Sequence, residues 1–233
     1  LVTVTVLATQ NINGVTYAFG PSRVRFRNGL YYRTAYTTNG TNLKAALFVS
    51  NDGLNWSLRS TIFGNGGLDF TESDVTWRSD NTMYAVSREL SGGSSVGNIY
   101  IATSTDDGLT WSAPSLFTNA FINGVQPQIL TLPNDDLLLM TSDRTGPSGS
   151  AGGAILYGPN VTGIAAWRLP AGQDPSVANW SFRQMLSFFY STDGGQPWPV
   201  LLADGKVFAP FYARKSVGVD PIISSIAFDP TKL

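Results

Sequence analysis

Hydrophobic and polar positions alternate in short runs along nearly the whole chain, and this pattern predicts β-strands. No window shows the apolar spacing of an amphipathic helix, and Gly, Asn, Thr and Ser interrupt almost every stretch. The predicted strands are short, rich in β-branched or aromatic residues and bounded by turn residues; they cover residues 2–7, 23–26, 30–36, 43–49, 83–87, 99–103, 137–141, 207–212 and 222–227. The sequence therefore predicts an all-β fold.

The strands repeat at a regular period. Four hairpins share one layout, a strand, a polar turn and a second strand, with turns at Gly29, Asn81, Asp136 and Gly205. The intervals between these turns are 52, 55 and 69 residues, and each has room for the four strands of a propeller blade. We therefore predict a β-propeller of four four-stranded blades, or of five if the longest interval contains a degenerate blade.

The two ends of the chain are predicted to share the last blade. We place a single propeller domain over residues 1–233, with blades at about 19–63, 70–117, 125–187 and 195–229. The last blade lacks a fourth strand after residues 222–227, whereas residues 2–7 lack a hairpin partner. Because closure removes the open edges of a β-protein, we expect the N-terminal strand within residues 2–8 to complete that blade.

Composition excludes several classes of function. The 233 residues include no His and no Cys, which excludes His- or Cys-dependent nucleophilic catalysis and disfavours zinc or iron–sulfur sites. The net charge of −1 argues against a nucleic-acid partner. No apolar run approaches the roughly 18 residues of a membrane span, so membrane insertion is not expected. We expect no cofactor and no metal.

Two predicted turns between third and fourth strands carry the pattern S-x-D-x-G-x-x-W, the first with one residue deleted. In such a turn Asp accepts backbone N–H groups, Gly supplies a positive φ and Trp packs the turn onto the sheet, so a structural role is expected. The residues concerned are Ser50, Asp52, Gly53 and Trp56 in the first turn, and Ser104, Asp106, Gly108 and Trp111 in the second.

These turns resemble the Asp boxes of the sialidase-like (BNR-repeat) β-propellers. The hairpins ending in Ser87-Arg88, Asp143-Arg144 and Tyr212-Ala-Arg214 add to the likeness, which covers roughly residues 19–230. The resemblance implies a propeller whose boxes lie on the face away from the active centre. It implies a fold more strongly than an activity.

A ligand site is expected at the opposite face, where first strands begin and second strands end. Trp and Tyr offer apolar faces to sugar rings, amides and carboxylates bind hydroxyl groups, and Arg binds a carboxylate bidentately. The candidates with these side chains are Glu72, Asp74, Gln126, Gln128, Gln196 and Trp198 from first strands, and Tyr36, Arg88, Asp143, Arg144, Tyr212 and Arg214 from second strands. The competing interpretation is a structural ring of ion pairs around the axial channel.

The resemblance also suggests how this set could act on an acidic sugar. Sialidases bind the substrate carboxylate with three arginines, and use a Tyr nucleophile with a Glu partner and an Asp acid. Here these roles would fall to the arginines Arg88, Arg144 and Arg214, to Tyr212, to Glu72 and to Asp74; Arg23 or Arg33 could supply the first-blade arginine. A hydrolase with a pair of carboxylates is the other chemical option.

Three functions follow from this interpretation. The first is a non-catalytic glycan-recognition propeller, such as the receptor-binding head of a phage tail fibre or of a secreted bacterial surface protein, extracellular or attached to a virion. The second is a sialidase-like glycoside hydrolase. The third is a scaffold for protein partners, which requires an exposed apolar patch. The expected ligand is a glycan or polysaccharide, with an acidic sugar as one option, and a trimer is suggested by analogy with fibre heads.

Overall fold

Seventeen strands and two short 3₁₀ helices make up the described part of the molecule. A computed structural model describes residues 9–20, 22–38, 42–64, 66–90, 97–117, 124–143, 161–181, 184–190, 194–213 and 220–233. Residues 2–7, and hence the predicted closing strand, lie outside this part. Within the described residues no helix is long and apolar enough to cross a bilayer.

The strands form four antiparallel sheets in chain order. The first sheet contains β1 (Thr9–Ile12), β2 (Val15–Ala18), β3 (Arg25–Arg27), β4 (Leu30–Thr37), β5 (Ala45–Ser50) and β6 (Ser57–Phe63). The second contains β7 (Phe70–Trp77), β8 (Met83–Glu89), β9 (Asn98–Ser104) and β10 (Ser115–Phe117). The third contains β11 (Gly124–Thr131), β12 (Leu137–Asp143), β13 (Val161–Leu169) and β14 (Gln184–Tyr190). The fourth contains β15 (Val200–Leu201), β16 (Val207–Ala213) and β17 (Ile222–Phe228).

The sheets pack face to face in this order, and three apolar layers fill the spaces between them. Strand β12 contributes side chains to two of these layers. Leu137 and Leu139 belong to the layer against the second sheet, whereas Leu138 and Met140 belong to the layer against the fourth. A strand covered on both faces is apolar at successive positions, which explains the Leu-Leu-Leu-Met run. The described sheets span residues 9–63, 70–117, 124–190 and 200–228, and the number of blades and their boundaries stay predictions.

The first sheet differs most from the sequence prediction. Its inner strand is interrupted: β3 pairs with the start of β4, and β2 pairs with the end of β4 through Tyr17 and Ala18. The hairpin of β1 and β2 was not predicted, although its turn, Asn13-Gly14, has positive φ at both residues and is a typical hairpin sequence.

The predicted Asp-box residues form compact turns. In the second box Ser104 Oγ donates to Asp106 Oδ1 at 2.8 Å, and Asp106 Oδ1 also accepts from the Thr110 N–H at 2.9 Å. Gly108 has a φ of 78°. In the first box Asp52 Oδ1 accepts from the Asn55 N–H at 2.8 Å, and Trp56 is buried. These side chains therefore satisfy the backbone of each turn.

The second box also joins two sheets. Trp111 Nε1 donates to Ser60 Oγ of β6 at 3.0 Å. Arg59 Nη2 and Tyr32 Oη of the first sheet donate to Asp107 Oδ2 at 2.8 and 2.7 Å. Burial, followed by the hydrogen bond and charge of Asp107, raises the pKa of Tyr32 to about 12. The turn thus docks the second sheet onto the first.

The inner strands of all four sheets meet at a buried ionic cluster that we call the axial hub, made of Arg23, Arg25, Asp74, Ile129 and Pro199. Arg23 Nη2 and Arg25 Nη2 donate to Asp74 Oδ2 at 2.5 and 3.0 Å, and the Ile129 N–H donates to the same oxygen at 3.0 Å. Both arginines also donate to the Ile129 carbonyl, and Arg23 donates to the Pro199 carbonyl. One carboxylate of the second sheet thereby links the first and third sheets, and Arg23 extends the link to the fourth.

We predict that Asp74→Asn strongly destabilises the protein. Asp74 is 1% exposed, and its removal leaves the partly buried guanidinium groups of Arg23 and Arg25 without their counter-charge. Loss of one partner from a buried ion pair costs about 3–5 kcal/mol of the free energy of unfolding, to be measured by urea denaturation. Asp204→Asn is the control, because the Asp204–Lys206 pair is exposed and its loss should leave the midpoint almost unchanged. Equal midpoints for the two variants would contradict the prediction.

We also predict that the second Asp box loses stabilising energy in acid. Hydrogen bonds from the Thr110 side chain and N–H and from Ser104 lower the pKa of Asp106 to about 2. Because the folded-state pKa lies below the usual value of about 3.9, the stabilisation is complete above that value and disappears as the pH falls towards 2. The difference in unfolding midpoint between wild type and Asp106→Asn should therefore shrink from pH 5 to pH 2. Leu109→Ala, an exposed change in the same turn, should keep the pH profile of the wild type.

Candidate functional site

The described candidate residues lie at one end of the sheets, opposite the turns predicted to be Asp boxes. The registers place Tyr31 beside Ser50 and Met83 beside Ser104 at the box end. At the other end, which we call the mouth, Gly124 pairs with Asp143 and Gly195 pairs with Tyr212. The described candidates at the mouth are Tyr36, Glu72, Arg88, Gln126, Gln128, Asp143, Gln196, Trp198 and Tyr212. Arg144 and Arg214 lie outside the described residues.

Glu72 is the centre of the contacts at the mouth. Arg88 Nη1 donates to Glu72 Oε2 at 3.3 Å, and the Gln126 N–H donates to the same oxygen at 3.0 Å. Burial, and after it the negative charge of Glu72, raises the pKa of Tyr36. Residues from the first three sheets are therefore close to one carboxylate.

Asp74 lies two residues further along β7 than Glu72, in the axial hub. Burial alone would raise the pKa of Asp74, but the charges of Arg23 and Arg25 and the hydrogen bonds from Arg23 and the Ile129 N–H outweigh it, so the pKa is lowered. A carboxylate in this state is an acceptor for structural donors and holds no proton to give at neutral pH. Asp74, which the resemblance suggests as the acid, is thus held by hydrogen bonds from the first and third sheets.

Arg23 and Arg33, the two arginines suggested for the first-blade position, also form hydrogen bonds within the protein. Arg23 belongs to the axial hub. Arg33 donates from Nε to Ser22 Oγ at 3.0 Å and from Nη2 to the Phe19 carbonyl at 2.9 Å, and its guanidinium lies over the Phe19 ring. Both arginines therefore stabilise the first sheet and its links to its neighbours.

The segments that lead into the third and fourth sheets at the mouth are distorted before their ladders begin. In β11 the register shifts between Val125 and Gln128, and Gln126 within this bulge has a φ of 56°. In the fourth sheet Gly195 pairs with Tyr212, Gln196 has a φ of 54°, and the Trp198 N–H donates to the Pro210 carbonyl at 3.0 Å. Bulges of this kind redirect side chains at functional sites, so these glutamines occupy positions suited to a ligand.

Sequence reasoning missed two residues that shape this site. Arg25 contributes to the axial hub, and the alternation Arg-Val-Arg-Phe-Arg over residues 23–27 was the available sign of a charged strand face. Ser142 touches Gly195 so closely that a Cβ on this glycine would overlap the serine side chain. No sequence pattern identifies Ser142, because the contact joins two different sheets.

We predict that the charge of Glu72 can be detected through Tyr36. Glu72→Gln removes the negative charge that helps to raise the Tyr36 pKa, so this pKa should fall. The measurement is an NMR pH titration of ¹³Cζ-labelled tyrosine, with the resonance assigned by Tyr36→Phe. Glu89→Gln is the matched control, because the charge of Glu89 acts on Tyr100 instead. An unchanged Tyr36 pKa in Glu72→Gln would show that the two side chains do not interact.

Comparison with known proteins gives structural likenesses only. No protein-family model and no curated protein sequence matches the chain. A protein of unknown function from Dyadobacter fermentans is similar over 88% of this chain and 51% of its own, with 23% identity and a TM-score of 0.71. A Penicillium chrysogenum α-L-arabinanase complexed with arabinobiose is similar over 91% of this chain and 64% of its own, with 14% identity and a TM-score of 0.66.

A third solved structure is matched over a larger share of its own length. The endo-arabinase from Bacteroides thetaiotaomicron is similar over 99% of this chain and 80% of its own, with 15% identity and a TM-score of 0.64. The chain spans only about half of the Dyadobacter protein. These arabinanases are β-propeller enzymes, and the likenesses lend no support to a sialidase type. At these identities they show the fold alone: the chain has an all-β, β-propeller fold.

Proposed function

We propose that this protein is a glycan-recognition β-propeller that binds its ligand at the mouth. The observation that carries the proposal is the set of side chains gathered there. Tyr36, Trp198 and Tyr212 can cover the apolar face of a sugar ring, and Gln126 and Gln128 can bind its hydroxyl groups. Polar and aromatic groups at one end of a rigid β scaffold are the usual composition of a saccharide site.

The contacts of the suggested acids favour binding over catalysis. A glycosidase of the usual kind needs one carboxyl group that protonates the leaving group. Burial would raise the pKa of Asp74, the suggested acid, but the charges of Arg23 and Arg25 outweigh it and lower the pKa. Glu72 already accepts from Arg88 and from the Gln126 N–H. We therefore favour a binding protein.

A glycoside hydrolase is the second candidate, and the comparisons favour it. Besides the two arabinanases, an α-L-arabinofuranosidase from Podospora anserina, solved in complex with cellotriose, has a TM-score of 0.61 and 15% identity. Hydrolysis would need two carboxylates at the mouth, for which Glu72 and Asp143 are the candidates. The sialidase version of this candidate would use Tyr212 with Arg88, Arg144 and Arg214 on an acidic sugar.

The biological setting that we propose is the receptor-binding head of a phage tail fibre or a secreted bacterial surface protein. It rests on the low fraction of charged residues, 13%, and on the absence of Cys, both compatible with an exposed glycan-binding module. A scaffold for protein partners is the third candidate. It is favoured by apolar side chains that the fourth sheet exposes, including Val200, Leu201 and Ile223, the last of them 79% exposed.

We predict that Trp198→Ala weakens glycan binding. Truncation of a tryptophan at the centre of a binding site typically costs about 2 kcal/mol, or roughly 30-fold in Kd. Binding of arabinobiose, cellotriose and 3′-sialyllactose is measured by isothermal titration calorimetry. Phe26→Ala is the control, because this exposed aromatic residue lies near the box end and its loss should leave Kd unchanged.

The same sugars decide between binding and hydrolysis. Chromatography of the three oligosaccharides after long incubation should show no products if the protein only binds. Release of arabinose or glucose that Glu72→Gln abolishes would establish the hydrolase instead. Release of sialic acid that Tyr212→Phe abolishes would establish the sialidase type.

A further inference from the structure

The third and fourth sheets share the short sequence pattern G-x-Q-P at the mouth. The segment Gly124-Val-Gln126-Pro127 leads into the third sheet, and Gly194-Gly-Gln196-Pro197 leads into the fourth. Both glutamines lie in the same kind of bulge, two residues before the ladder resumes at Gln128 and at Trp198. The two segments therefore share their local backbone conformation as well as their sequence pattern.

Both glutamines adopt a backbone conformation that their residue type disfavours. Gln126 and Gln196 have φ values of 56° and 54°. The other described non-glycine residues with positive φ are all Asn or Asp, the types that tolerate this region best. A following proline further restricts the preceding residue and normally holds it in the extended region. The fold therefore holds two glutamines at strained positions where glycine would be easier.

The contacts of these glutamines with the described residues do not explain why the strained backbone is kept. Gln126 is 7% exposed, yet its side-chain Oε1 has no hydrogen-bond partner among the described residues. The bonded group of Gln126 is its backbone N–H, which a glycine would keep. Gln128 Oε1 is likewise buried and without a partner among the described residues. A buried amide oxygen without a donor is costly, so a donor from outside the protein would relieve the cost.

The two bulges adjoin each other. Ser142 pairs with Val125, the residue before Gln126, and donates from Oγ to its carbonyl at 3.0 Å. Gly195, the residue before Gln196, packs against the same serine, with no space for a Cβ. The backbones of the two glutamines therefore belong to one region of the mouth, next to Glu72 through the Gln126 N–H.

We propose that Gln126 and Gln196 are a matched pair of specificity-determining amides that bind vicinal hydroxyl groups of one neutral sugar residue. This inference rests on the glycan-binding function proposed above and names the chemistry of its site. An amide offers both a donor and an acceptor, which suits a hydroxyl group, whereas it supplies no charge for a carboxylate. The described arginine at the mouth, Arg88, already faces Glu72. The positive-φ bulges fix the backbones of the pair, and the ligand supplies the donor that the buried Oε1 of Gln126 lacks among the described residues.

The test separates a binding role from a structural one by measuring stability and affinity together. Gln126→Gly and Gln196→Gly relieve the backbone strain, so each should unfold at the same urea concentration as wild type or a higher one. Each should bind arabinobiose or cellotriose, whichever the wild type binds, at least tenfold more weakly in calorimetry. Gln126→Asn and Gln196→Asn keep an amide at a tolerated φ but withdraw it by one methylene, and should also lose at least tenfold.

Asn28→Gly is the control, because Asn28 has a φ of 49° in a turn at the box end and should bind like wild type. Kd values within twofold of wild type in all four glutamine variants would overturn the inference while the proposed function stands. A lower urea midpoint in both the glycine and the asparagine variants would assign the amides a structural role and would also overturn it. Wild-type binding of 3′-sialyllactose alone would overturn the neutral-sugar inference. Wild-type binding of none of the three sugars would remove the proposed function itself, and the inference with it.

Discussion

The carboxylate of Asp74 is the constraint on which the arrangement of the sheets depends. Where the inner strands of four sheets converge, backbone carbonyls of the third and fourth sheets need hydrogen-bond donors. Asp74 Oδ2 accepts from Arg23, Arg25 and the Ile129 N–H, and Arg23 reaches the Pro199 carbonyl of the fourth sheet. A purely apolar centre could fill this space, but it could not satisfy the Ile129 and Pro199 carbonyls. The hub therefore fixes the relative positions of the inner strands as well as filling the centre.

The hub also gives Glu72 and Asp74 different surroundings. Alternate residues of an inner strand share an environment, yet Glu72 and Asp74 on β7 differ sharply. Asp74 is enclosed by two guanidinium groups, whereas Glu72 has one arginine at the longer distance of 3.3 Å and is partly exposed. Its negative charge reaches Tyr36, an aromatic side chain of the first sheet. The electrostatic centre of the mouth is accordingly Glu72, with the hub as its fixed support.

Sequence reasoning located the hairpins of the described sheets because turn residues and β-branched runs are local properties. It gave the inner strand of the first sheet the wrong extent, because residues 23–27 invert the usual pattern: Phe26 is 64% exposed, and Arg25 faces the hub. That inversion is set by Asp74, about fifty residues away, and no local rule contains it. The candidate residues were placed at one end by strand direction alone, whereas the role of Asp74 depended on partners from other sheets. The Gln-Pro repeat was visible in the sequence, but its positive φ was not.

Prolines connect the hub to the candidate binding residues of the fourth sheet. Pro197 and Pro199 flank Trp198 and Pro210 lies opposite, so this edge lacks several of the N–H groups that would normally form a ladder. Trp198 is held by one backbone hydrogen bond to the Pro210 carbonyl, and Pro199 is held by Arg23. With few ladder bonds available, the position of Trp198 depends on the hub as well as on its own sheet. The same ionic cluster that orders the inner strands thus also positions an aromatic wall of the mouth, which couples the stability of the fold to the geometry of the site.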